Sequence, residues 1–324
     1  MKITVLGEGS WGTAVSTVLA ANGYDVNLWC HDSALVQEIN TKHTNSRYMP
    51  GIFLSPQIKA SNDIEFVLKD ADWIFEAVPV VYLRSVLQEA KPYYVDTQNW
   101  VVLSKGIEND TLLYPSQMIQ DVFDDMANCV VLGGPSLARE LVEQKITGIV
   151  LASENQLLAQ QLKQLMVNTY CLPYLSNDPL GVQIGGALKN VVTLGVGMLK
   201  STNCCDNTQA WFLTRGFAEI VSIAEYFGAQ ALTLYGLSGL GDLILCATGT
   251  GSRNFEVGAA LGKGESLESI LQRTGYTPEG INTLKSLNNI ITDNNLTAPI
   301  CAGLYKVVFE GMNFDTLLQK LISV

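Results

Sequence analysis

The sequence predicts an α/β N-terminal domain built on a doubly wound parallel sheet, residues 1–180, followed by an all-α C-terminal domain, residues 181–324. A chain of 324 residues exceeds what one hydrophobic core usually serves. Before residue 180, short apolar segments alternate with helical patterns, as in parallel strands joined by helices. After it, long segments rich in Ala, Leu and Gly carry helix signals.

The N-terminus contains the strongest fold signal. It reads as a buried strand, a glycine turn, an Ala-rich helix and a second strand, at 2–6, 7–12, 13–22 and 24–29. In the turn, Gly7, Gly9 and Gly12 form a GxGxxG pattern. Such glycines let backbone approach a pyrophosphate closely, and the following helix N-terminus offers free amides to the anion. We therefore predict a Rossmann dinucleotide-binding domain.

The remaining elements continue this pattern. Further strands are predicted at 73–78, 100–104, 130–132, 148–152 and 169–175, with helices at 82–90, 114–123 and 154–166. Helices of the second domain are predicted at 185–200, 209–227, 255–261, 267–272, 279–294 and 298–310.

The end of the second strand bears on the choice of cofactor. An NAD-selective Rossmann domain commonly has an acid there that binds the ribose hydroxyls. Here the strand ends at Cys30 and His31, and Asp32 lies slightly beyond. His31 could face a 2′-phosphate, or it could be a solvated loop residue. We expect NADPH to be accepted.

Two segments that follow predicted strands should lie at the carboxyl edge of the sheet, where open α/β proteins bind ligands. In SKGIE, Lys105 could hold a phosphate or polarise a carbonyl, or it could be an ordinary surface lysine. The segment GGPSLARE offers backbone amides and the hydroxyl of Ser136.

Lys189 is the lone charged residue of an otherwise apolar helical segment, GGALKNVVTLG. Burial disfavours an ammonium group, so we expect its pKa to fall towards the range useful for proton transfer. A structural ion pair with an acid is the alternative. Because the chain has only two histidines, His31 and His43, it offers few other proton carriers.

The second domain also contains a candidate anion site. Asp242 lies in the segment GLGDL, and TGTGSRN follows it, just before the helix predicted near Phe255. The glycines free backbone amides, Ser252 or Asn254 can cap the helix, and Arg253 adds a cationic fork. The same segment could equally be a capped surface loop.

Composition restricts the possible functions. A formal net charge of -11 argues against non-specific binding to nucleic acids or anionic membranes. The seven cysteines lack CxxC pairs and His-rich partner segments, so neither a disulfide framework nor a metal site is implied. We recognise no signal peptide and no run long and apolar enough to span a bilayer. We expect a cytoplasmic protein without stable membrane insertion.

Together and in this order, the motifs resemble the glycerol-3-phosphate dehydrogenase family, especially its bacterial NAD(P)-dependent type, over essentially the whole chain. The matching pieces are GEGSWGTA, NSRYMPG, AVP, SKGIE, GPSLARE, GALKNV, DN followed by LTRGFAE, GLSGLGDL, SRN and PEG. The resemblance implies an oxidoreductase that interconverts dihydroxyacetone phosphate and sn-glycerol 3-phosphate with NADPH or NADH. It also implies a homodimer that supplies glycerol 3-phosphate for phospholipid synthesis.

The resemblance also assigns residues to the site. Lys189 would be the catalytic proton donor or acceptor. The substrate would be bound by Lys105, Gly134, Ser136, Lys189, Asp242, Ser252, Arg253 and Asn254. The cofactor would be bound by Gly7, Gly9, Ser10, Trp11, Gly12, His31, Tyr48, Lys105, Ala138, Arg253 and Glu279.

The chain departs from the family pattern at a few positions. Cys246 stands where the family usually has threonine. The hydroxyl contact to the substrate that the threonine would make is therefore in question in this chain. Leu137 replaces a usual phenylalanine, and Cys204 and Cys205 stand where the family tends to have glycine; these changes should alter only packing.

Two other functions remain open. A related two-domain hydroxy-acid dehydrogenase would share the GxGxxG turn and a catalytic lysine followed by asparagine, but it would need a carboxylate clamp in place of TGTGSRN. A noncatalytic dinucleotide sensor could use the same Rossmann domain.

Overall fold

The computed structural model describes residues 1–202, 204–249 and 251–323, and the chain divides into two compact units. The first unit contains Met1–Ser104 and Pro115–Pro179. The second contains Lys105–Tyr114 and the chain from Leu180 onwards. Lys105–Tyr114 thus groups with the second unit, although it lies far before the boundary predicted at residue 180.

The first unit is an eight-stranded sheet with helices, which confirms the predicted Rossmann-like α/β fold. Its strands are β1 Ile3–Leu6, β2 Val26–Trp29, β3 Ile58–Ser61, β4 Trp73–Glu76, β5 Asn99–Val102, β6 Asn128–Gly133, β7 Thr147–Ala152 and β8 Cys171–Ser176. Its helices are α1 Ser10–Ala21, α2 Ser33–Lys42, α3 Ile64–Leu68, α4 Val80–Ala90, α5 Pro115–Val122, α6 Ala138–Val142 and α7 Gln156–Met166, with a 3₁₀ turn at Lys91–Tyr93. The sequence patterns had missed α2, β3, α3, α6 and the 3₁₀ turn.

The strand order is β3-β2-β1-β4-β5-β6-β7-β8. Strand β1 lies between β2 and β4 and pairs in parallel with both, in register from Ile3 opposite Val26 and Trp73. The chain order reverses beside β1, so its carboxyl end is the switch point where such sheets bind ligands. Apolar side chains of β1, β2, β4 and α1 form the core beneath this edge.

The sheet is mainly parallel, as predicted, with one exception: β6 and β7 run antiparallel. The connection between them contains only the five-residue helix α6. Such a helix spans about 7 Å, whereas the six residues of β6 extend about 20 Å, so α6 is too short to carry the chain back for a parallel crossover. The sheet is parallel on both sides of this pair.

The second unit is nearly all helix, as predicted. Its helices are α8 Pro179–Ser201, α9 Asp206–Tyr226, α10 Ala231–Tyr235, α11 Asp242–Thr248, α12 Arg253–Gly262, α13 Leu267–Thr274, α14 Glu279–Asp293, α15 Pro299–Phe309 and α16 Phe314–Ile322, with a π-helical turn at Leu237–Gly241. The patterns had missed α10, the π turn, α11 and α16. Helix α8 runs through the main core of this unit and contributes buried side chains such as Ile184, Leu188 and Val191.

Helix α8 corrects the expectation that no run could span a bilayer. By length and composition this 23-residue helix is apolar enough to do so, but its apolar window is entirely buried inside the protein. A helix that is apolar all round is typical of the centre of a protein core as well as of a membrane span. Because the other helices of the unit surround α8, its apolar side chains lie in the core of the protein.

The glycine turn after β1 allows no side chain at two of its three glycines. Gly7 has φ +116°, and a Cβ there would lie 2.7 Å from the carbonyl oxygen of Ala77. A Cβ at Gly12 would lie 2.0 Å from the carbonyl oxygen of Gly7. At Gly9, in contrast, a Cβ would meet no atom within 4 Å. Packing therefore requires glycine at the two outer positions, and the space over the middle position is open.

We expect Gly12→Ala to lower the free energy of unfolding by about 1–3 kcal/mol, because the new methyl group overpacks the turn. Gly9→Ala is the matched control, since Gly9 has φ -60° and open space around it. Its effect should stay below about 1 kcal/mol. Urea-induced unfolding followed by circular dichroism measures both. Equal losses in the two variants would contradict the packing account of the turn.

Candidate active site

Two lysines share one buried carboxylate in the second unit. Lys105 Nζ lies 2.7 Å from Oδ2 of Asp242, and Lys189 Nζ lies 2.6 Å from Oδ1 of the same side chain. Asp242 is 1% exposed and the Lys189 side chain 6%. The Lys105 side chain, at 20%, is the most accessible of the three. The structure thus brings together three of the residues predicted for the substrate site.

Glycines allow the helices that hold this cluster to approach each other. A Cβ at Gly185 on α8 would lie 2.9 Å from the carbonyl oxygen of Ser238, in the π turn that leads into α11. A Cβ at Gly186 would crowd the Lys105 side chain, 3.3 Å from its Cγ. The absence of these side chains lets α11 and Lys105 pack beside Lys189.

The sequence patterns predicted no helix at GLSGLGDL and gave its glycines the role of freeing backbone amides, but the structure shows helical turns there. The segment forms the π turn Leu237–Gly241 and the start of α11. A Cβ at Gly239 would lie 2.0 Å from the carbonyl oxygen of Leu234, so this glycine serves close packing. Tertiary packing here overrides the low helix propensity of glycine. The wide turn places Asp242 at the first position of α11.

The pKa of Lys189 moves in the direction opposite to the one expected. Burial is the largest single influence and lowers it, but the Asp242 carboxylate and the Cys246 side chain together outweigh burial and raise the pKa. Lys105 is the lysine whose pKa is lowered, by burial and by the neighbouring Lys189 ammonium, although Asp242 opposes this. Burial raises the pKa of Asp242, but the two lysines lower it further, so the carboxylate stays ionised.

Cys246 completes the surroundings of Lys189. Its Sγ lies 3.0 Å from Lys189 Nζ and 3.8 Å from Oδ1 of Asp242, one helical turn before it on α11. The departure from the family pattern therefore stands directly beside the predicted catalytic amine. A thiol here contacts the amine in the position where a hydroxyl would otherwise stand.

A second group of predicted residues lies at the start of α12. Ser252 is the N-cap, and its hydroxyl accepts a hydrogen bond from the backbone N–H of Phe255. Arg253 is the first helical residue; it is exposed, and its guanidinium lies 5.4 Å from the ring centre of Tyr276. The helix N-terminus and the guanidinium together favour an anion. Thr250, within the predicted anion segment, lies outside the described residues.

Asn190 connects this helix start to the ion cluster. Its Oδ1 accepts a hydrogen bond of 3.0 Å from Nδ2 of Asn254, and Oδ1 of Asn254 accepts one of 2.9 Å from the backbone N–H of Gly280. Asn190 follows Lys189 directly on α8. Lys189 contacts α11, and the next residue of the same helix, Asn190, contacts α12. These two contacts fix the position of the Lys189 amine relative to the start of α12.

The arrangement favours negative charge on a bound oxygen. With both amines protonated, the cluster of Lys105, Lys189 and Asp242 carries a formal charge of +1. Buried charges oriented in advance stabilise a developing oxyanion better than water does. The ammonium of Lys189 can also donate a proton, and α12 can hold a phosphate. These features suit the reduction of a carbonyl in a phosphorylated substrate.

In the first unit, the predicted dinucleotide residues gather at the glycine turn. Helix α1 begins at Ser10, and no side chain caps its N-terminus. The Ser10 hydroxyl donates to the carbonyl oxygen of Tyr48 at 2.9 Å, which joins two predicted cofactor residues. The buried indole N–H of Trp11 has no acceptor among the described residues. Free helix amides, an open turn and this N–H fit a dinucleotide phosphate at the turn.

The other predicted residues are divided between the units. Gly134, Ser136 and Ala138 belong to the first unit, where Gly134 has φ +114° and the Ser136 hydroxyl donates to its carbonyl oxygen at 3.0 Å. His31 also lies in the first unit, just beyond β2, and Glu279 lies in the second as the first residue of α14. The residue-by-residue assignment of these side chains to substrate or cofactor remains a prediction.

Sequence reasoning missed three residues that the structure connects to these sites. Asn190 could have been noticed as a second polar residue in an apolar helix. Arg47 pairs with Asp32 near the end of β2. Glu76, fully buried at the end of β4, accepts hydrogen bonds from the backbone N–H groups of Leu103 and Ser104, directly before Lys105.

Burial raises the pKa of Glu76 to about 8, although hydrogen bonds from Ser104 and Leu103 oppose the shift. The apolar strand pattern of the sequence does not show that this carboxyl is buried and protonated more easily than usual.

Within the described ranges, no group of three or more His, Cys, Asp or Glu side chains is placed to hold a metal ion.

Family models match both parts of the chain. Residues 2–159 match the N-terminal domain of NAD-dependent glycerol-3-phosphate dehydrogenase, and residues 178–319 match its C-terminal domain.

Individual proteins show the same similarity. The glycerol-3-phosphate dehydrogenase [NAD(P)+] of Bacillus thuringiensis (strain Al Hakam) is 41% identical over 324 residues, covering 99% of this chain and 95% of that protein. The crystal structure of glycerol-3-phosphate dehydrogenase from Coxiella burnetii is 28% identical with a TM-score of 0.95, covering 100% of this chain and 99% of that one. The glycerol-3-phosphate dehydrogenase structure from Saccharomyces cerevisiae is 25% identical with a TM-score of 0.85, covering 98% of each chain.

Proposed function

The chain belongs to the NAD-dependent glycerol-3-phosphate dehydrogenase family, and we propose that its ion cluster and the start of α12 interconvert dihydroxyacetone phosphate and sn-glycerol 3-phosphate with NADH or NADPH. The observation that carries this assignment is the joining of a buried amine to an anion-binding helix start through the consecutive residues Lys189 and Asn190. That arrangement matches a substrate with a ketone at one position and a phosphate at another.

Lys189 is the proton donor in reduction. The dihydronicotinamide supplies the hydride when bound. Asp242 keeps Lys189 protonated, since the carboxylate raises the pKa of the amine despite its burial. The ammonium then donates its proton to the oxygen of the substrate carbonyl as negative charge develops there. Lys105, on the other oxygen of Asp242, keeps the local charge positive and stabilises that oxygen.

The phosphate of the substrate binds at α12. Arg253 and the first amides of the helix hold the anion, while Ser252 and Asn254 fix the backbone there through their own hydrogen bonds. Binding energy from a phosphate remote from the reacting carbon orients the carbonyl against Lys189. A phosphorylated substrate is therefore used far better than its unphosphorylated counterpart.

The turn Gly7–Gly12 holds the dinucleotide. The open space over Gly9, the uncapped start of α1 and the indole N–H of Trp11 support this assignment. Tyr48, His31 and Ala138 of the same unit also contribute to cofactor binding.

Family membership decides against the two other functions considered. A hydroxy-acid dehydrogenase would need a carboxylate clamp, whereas this chain carries a capped helix start with one arginine and matches the family over both domains. A dinucleotide sensor would not require a buried lysine held in its acidic form beside a phosphate site.

The wider role follows from the reaction. We propose that the protein is a cytoplasmic homodimer without stable membrane insertion and that it supplies glycerol 3-phosphate for phospholipid synthesis. The burial of the apolar helix α8 inside the second unit supports the absence of a membrane span.

We expect Arg253→Ala to weaken kcat/KM for dihydroxyacetone phosphate by about 2–4 kcal/mol in transition-state terms, because a charge-assisted phosphate clamp is lost. The decrease in kcat/KM for unphosphorylated dihydroxyacetone should be much smaller. Arg273→Ala is the matched control. Arg273 is an exposed arginine of the same unit that pairs with Glu265, and its loss should change kcat/KM for neither substrate. Steady-state kinetics measures all of these. Equal losses for both substrates would assign Arg253 to the cofactor or the fold instead.

We expect Lys189→Ala to reduce turnover by about 10²–10⁴ and to leave NADH affinity nearly unchanged, as general acid-base groups contribute that much. Lys189→Arg should not restore activity, because guanidinium does not release its proton near neutral pH. The control is Lys200→Ala, an exposed lysine at the end of α8. Turnover and fluorescence titration with NADH check these outcomes, and near-normal turnover in Lys189→Ala would move the proton-carrying role to Lys105.

The raised pKa of Lys189 predicts a direction for the pH dependence. Reduction needs the ammonium form, so its rate should be flat through neutral pH and fall as pH rises through the pKa of Lys189. Oxidation needs the amine and should rise with pH over the same range. Asp242→Asn removes the carboxylate that raises this pKa, so both transitions should move to lower pH. Profiles of kcat/KM in each direction test this, and unmoved transitions would mean that another group titrates.

A further inference from the structure

We propose that Glu8, the second residue of the glycine turn, supplies the acid at the end of β2 and makes the protein bind NADH in preference to NADPH. The inference rests on the proposed function, because it takes the turn Gly7–Gly12 as the dinucleotide site. The sequence pattern treated the end of β2 as free of acid and led to the expectation that NADPH is accepted. The structure brings an acid there from another part of the chain.

Two hydrogen bonds place Glu8 at the end of β2. The backbone N–H of Gly7 donates to the carbonyl oxygen of Trp29, the last residue of β2, at 3.0 Å. The backbone N–H of His31 donates to Oε2 of Glu8 at 3.2 Å. The carboxylate of Glu8 is therefore fixed against the chain just beyond the strand. This is the position where an acid binds the ribose hydroxyls in NAD-selective domains.

The second oxygen of Glu8 is available to a ligand. No described residue donates a hydrogen bond to Oε1, and the side chain is only partly buried. A ribose 2′-hydroxyl or 3′-hydroxyl can donate a hydrogen bond to this oxygen. A 2′-phosphate has only acceptor oxygens when ionised and would bring its negative charge against the carboxylate. Like charges brought together in this way oppose binding.

Arg47, a cation beside the end of β2, is already paired with a second acid. Nη1 of Arg47 lies 3.3 Å from Oδ2 of Asp32, and its guanidinium lies 5.2 Å from the ring centre of Tyr48. Oδ1 of Asp32 accepts from the N–H of Ala34 at 2.8 Å and caps α2, so this carboxylate cannot easily turn away. Arg47 could meet a 2′-phosphate only in competition with Asp32. Two acids thus lie next to His31: Glu8 accepts a hydrogen bond from its backbone N–H, and Asp32 is the next residue in the chain.

The test is equilibrium binding of NADH and of NADPH, each followed by quenching of intrinsic tryptophan fluorescence without substrate present. The unaltered protein should bind NADH at least about tenfold more tightly, a difference of about 1.4 kcal/mol. Glu8→Gln retains an acceptor for the His31 N–H but removes the charge. It should reduce the ratio of the two affinities to below about threefold, mainly by tightening NADPH. Adding Asp32→Asn, which keeps an N-cap oxygen and releases Arg47, should favour NADPH further.

Asp25→Asn is the matched control. Asp25 is exposed and directly precedes β2, so the variant removes the same charge from the opposite end of the same strand. At about 0.15 M salt, a charge more than about 8 Å away is largely screened, and the ratio should not change. Retained NADH binding by Glu8→Gln shows that this variant is folded.

Three results would overturn the inference. These are equal affinity of the unaltered protein for the two dinucleotides, an unchanged ratio in Glu8→Gln, and an equal shift in Asp25→Asn, which would reveal only a general effect of net charge. Binding of neither dinucleotide would instead contradict the cofactor site of the proposed function. Tight binding of both without discrimination would leave that function intact and refute the role of Glu8 alone.

Discussion

The second unit depends on one buried ionic contact, the carboxylate of Asp242 between the amines of Lys105 and Lys189. Burying a charge without a partner costs several kcal/mol, so each of these groups requires the others. Two amines on one acid also leave a positive charge, which a structural pair would not need. Lys189 thus forms the ion pair with an acid that the sequence left open as the alternative to a catalytic role. Because the cluster keeps a net positive charge, it can still stabilise negative charge on a substrate oxygen.

Close packing of α8 makes this contact possible. Gly185 and Gly186 admit the π turn and the Lys105 side chain on one side. Further along the helix, a Cβ at Gly197 would lie 2.3 Å from the carbonyl oxygen of Phe255 in α12. A helix without these glycines would stand farther from α11 and α12, and neither Asp242 nor Asn254 would reach it. The glycine content of α8 thus serves the site rather than flexibility.

The first unit uses glycine in the same way for a different ligand. Close approach between the turn after β1 and the end of β4 requires the absence of side chains at Gly7 and Gly12. The middle of the turn is open, and Glu8 extends from it to the end of β2. The residue between two glycines of this motif can therefore affect which dinucleotide binds, whereas the glycines only allow the close approach.

The sequence by itself determined the architecture: the alternation of strands and helices, the glycine turn and the helical second domain. It also indicated Lys189 as a lone charged residue in an apolar helix. These follow from local periodicity and from ordered motifs, which a linear chain displays directly. It also indicated Lys105, Asp242, Ser252, Arg253 and Asn254, but as separate segments.

Only the tertiary structure decided which groups meet and with what effect. The raised pKa of Lys189 reverses an expectation drawn from sequence. The antiparallel pairing of β6 with β7, the helical form of GLSGLGDL and the Glu8 carboxylate beside the end of β2 were not predicted from it. Each depends on partners distant along the chain. Local patterns could not reveal them, because a pKa, a strand direction and a close packing contact are set by neighbours in space.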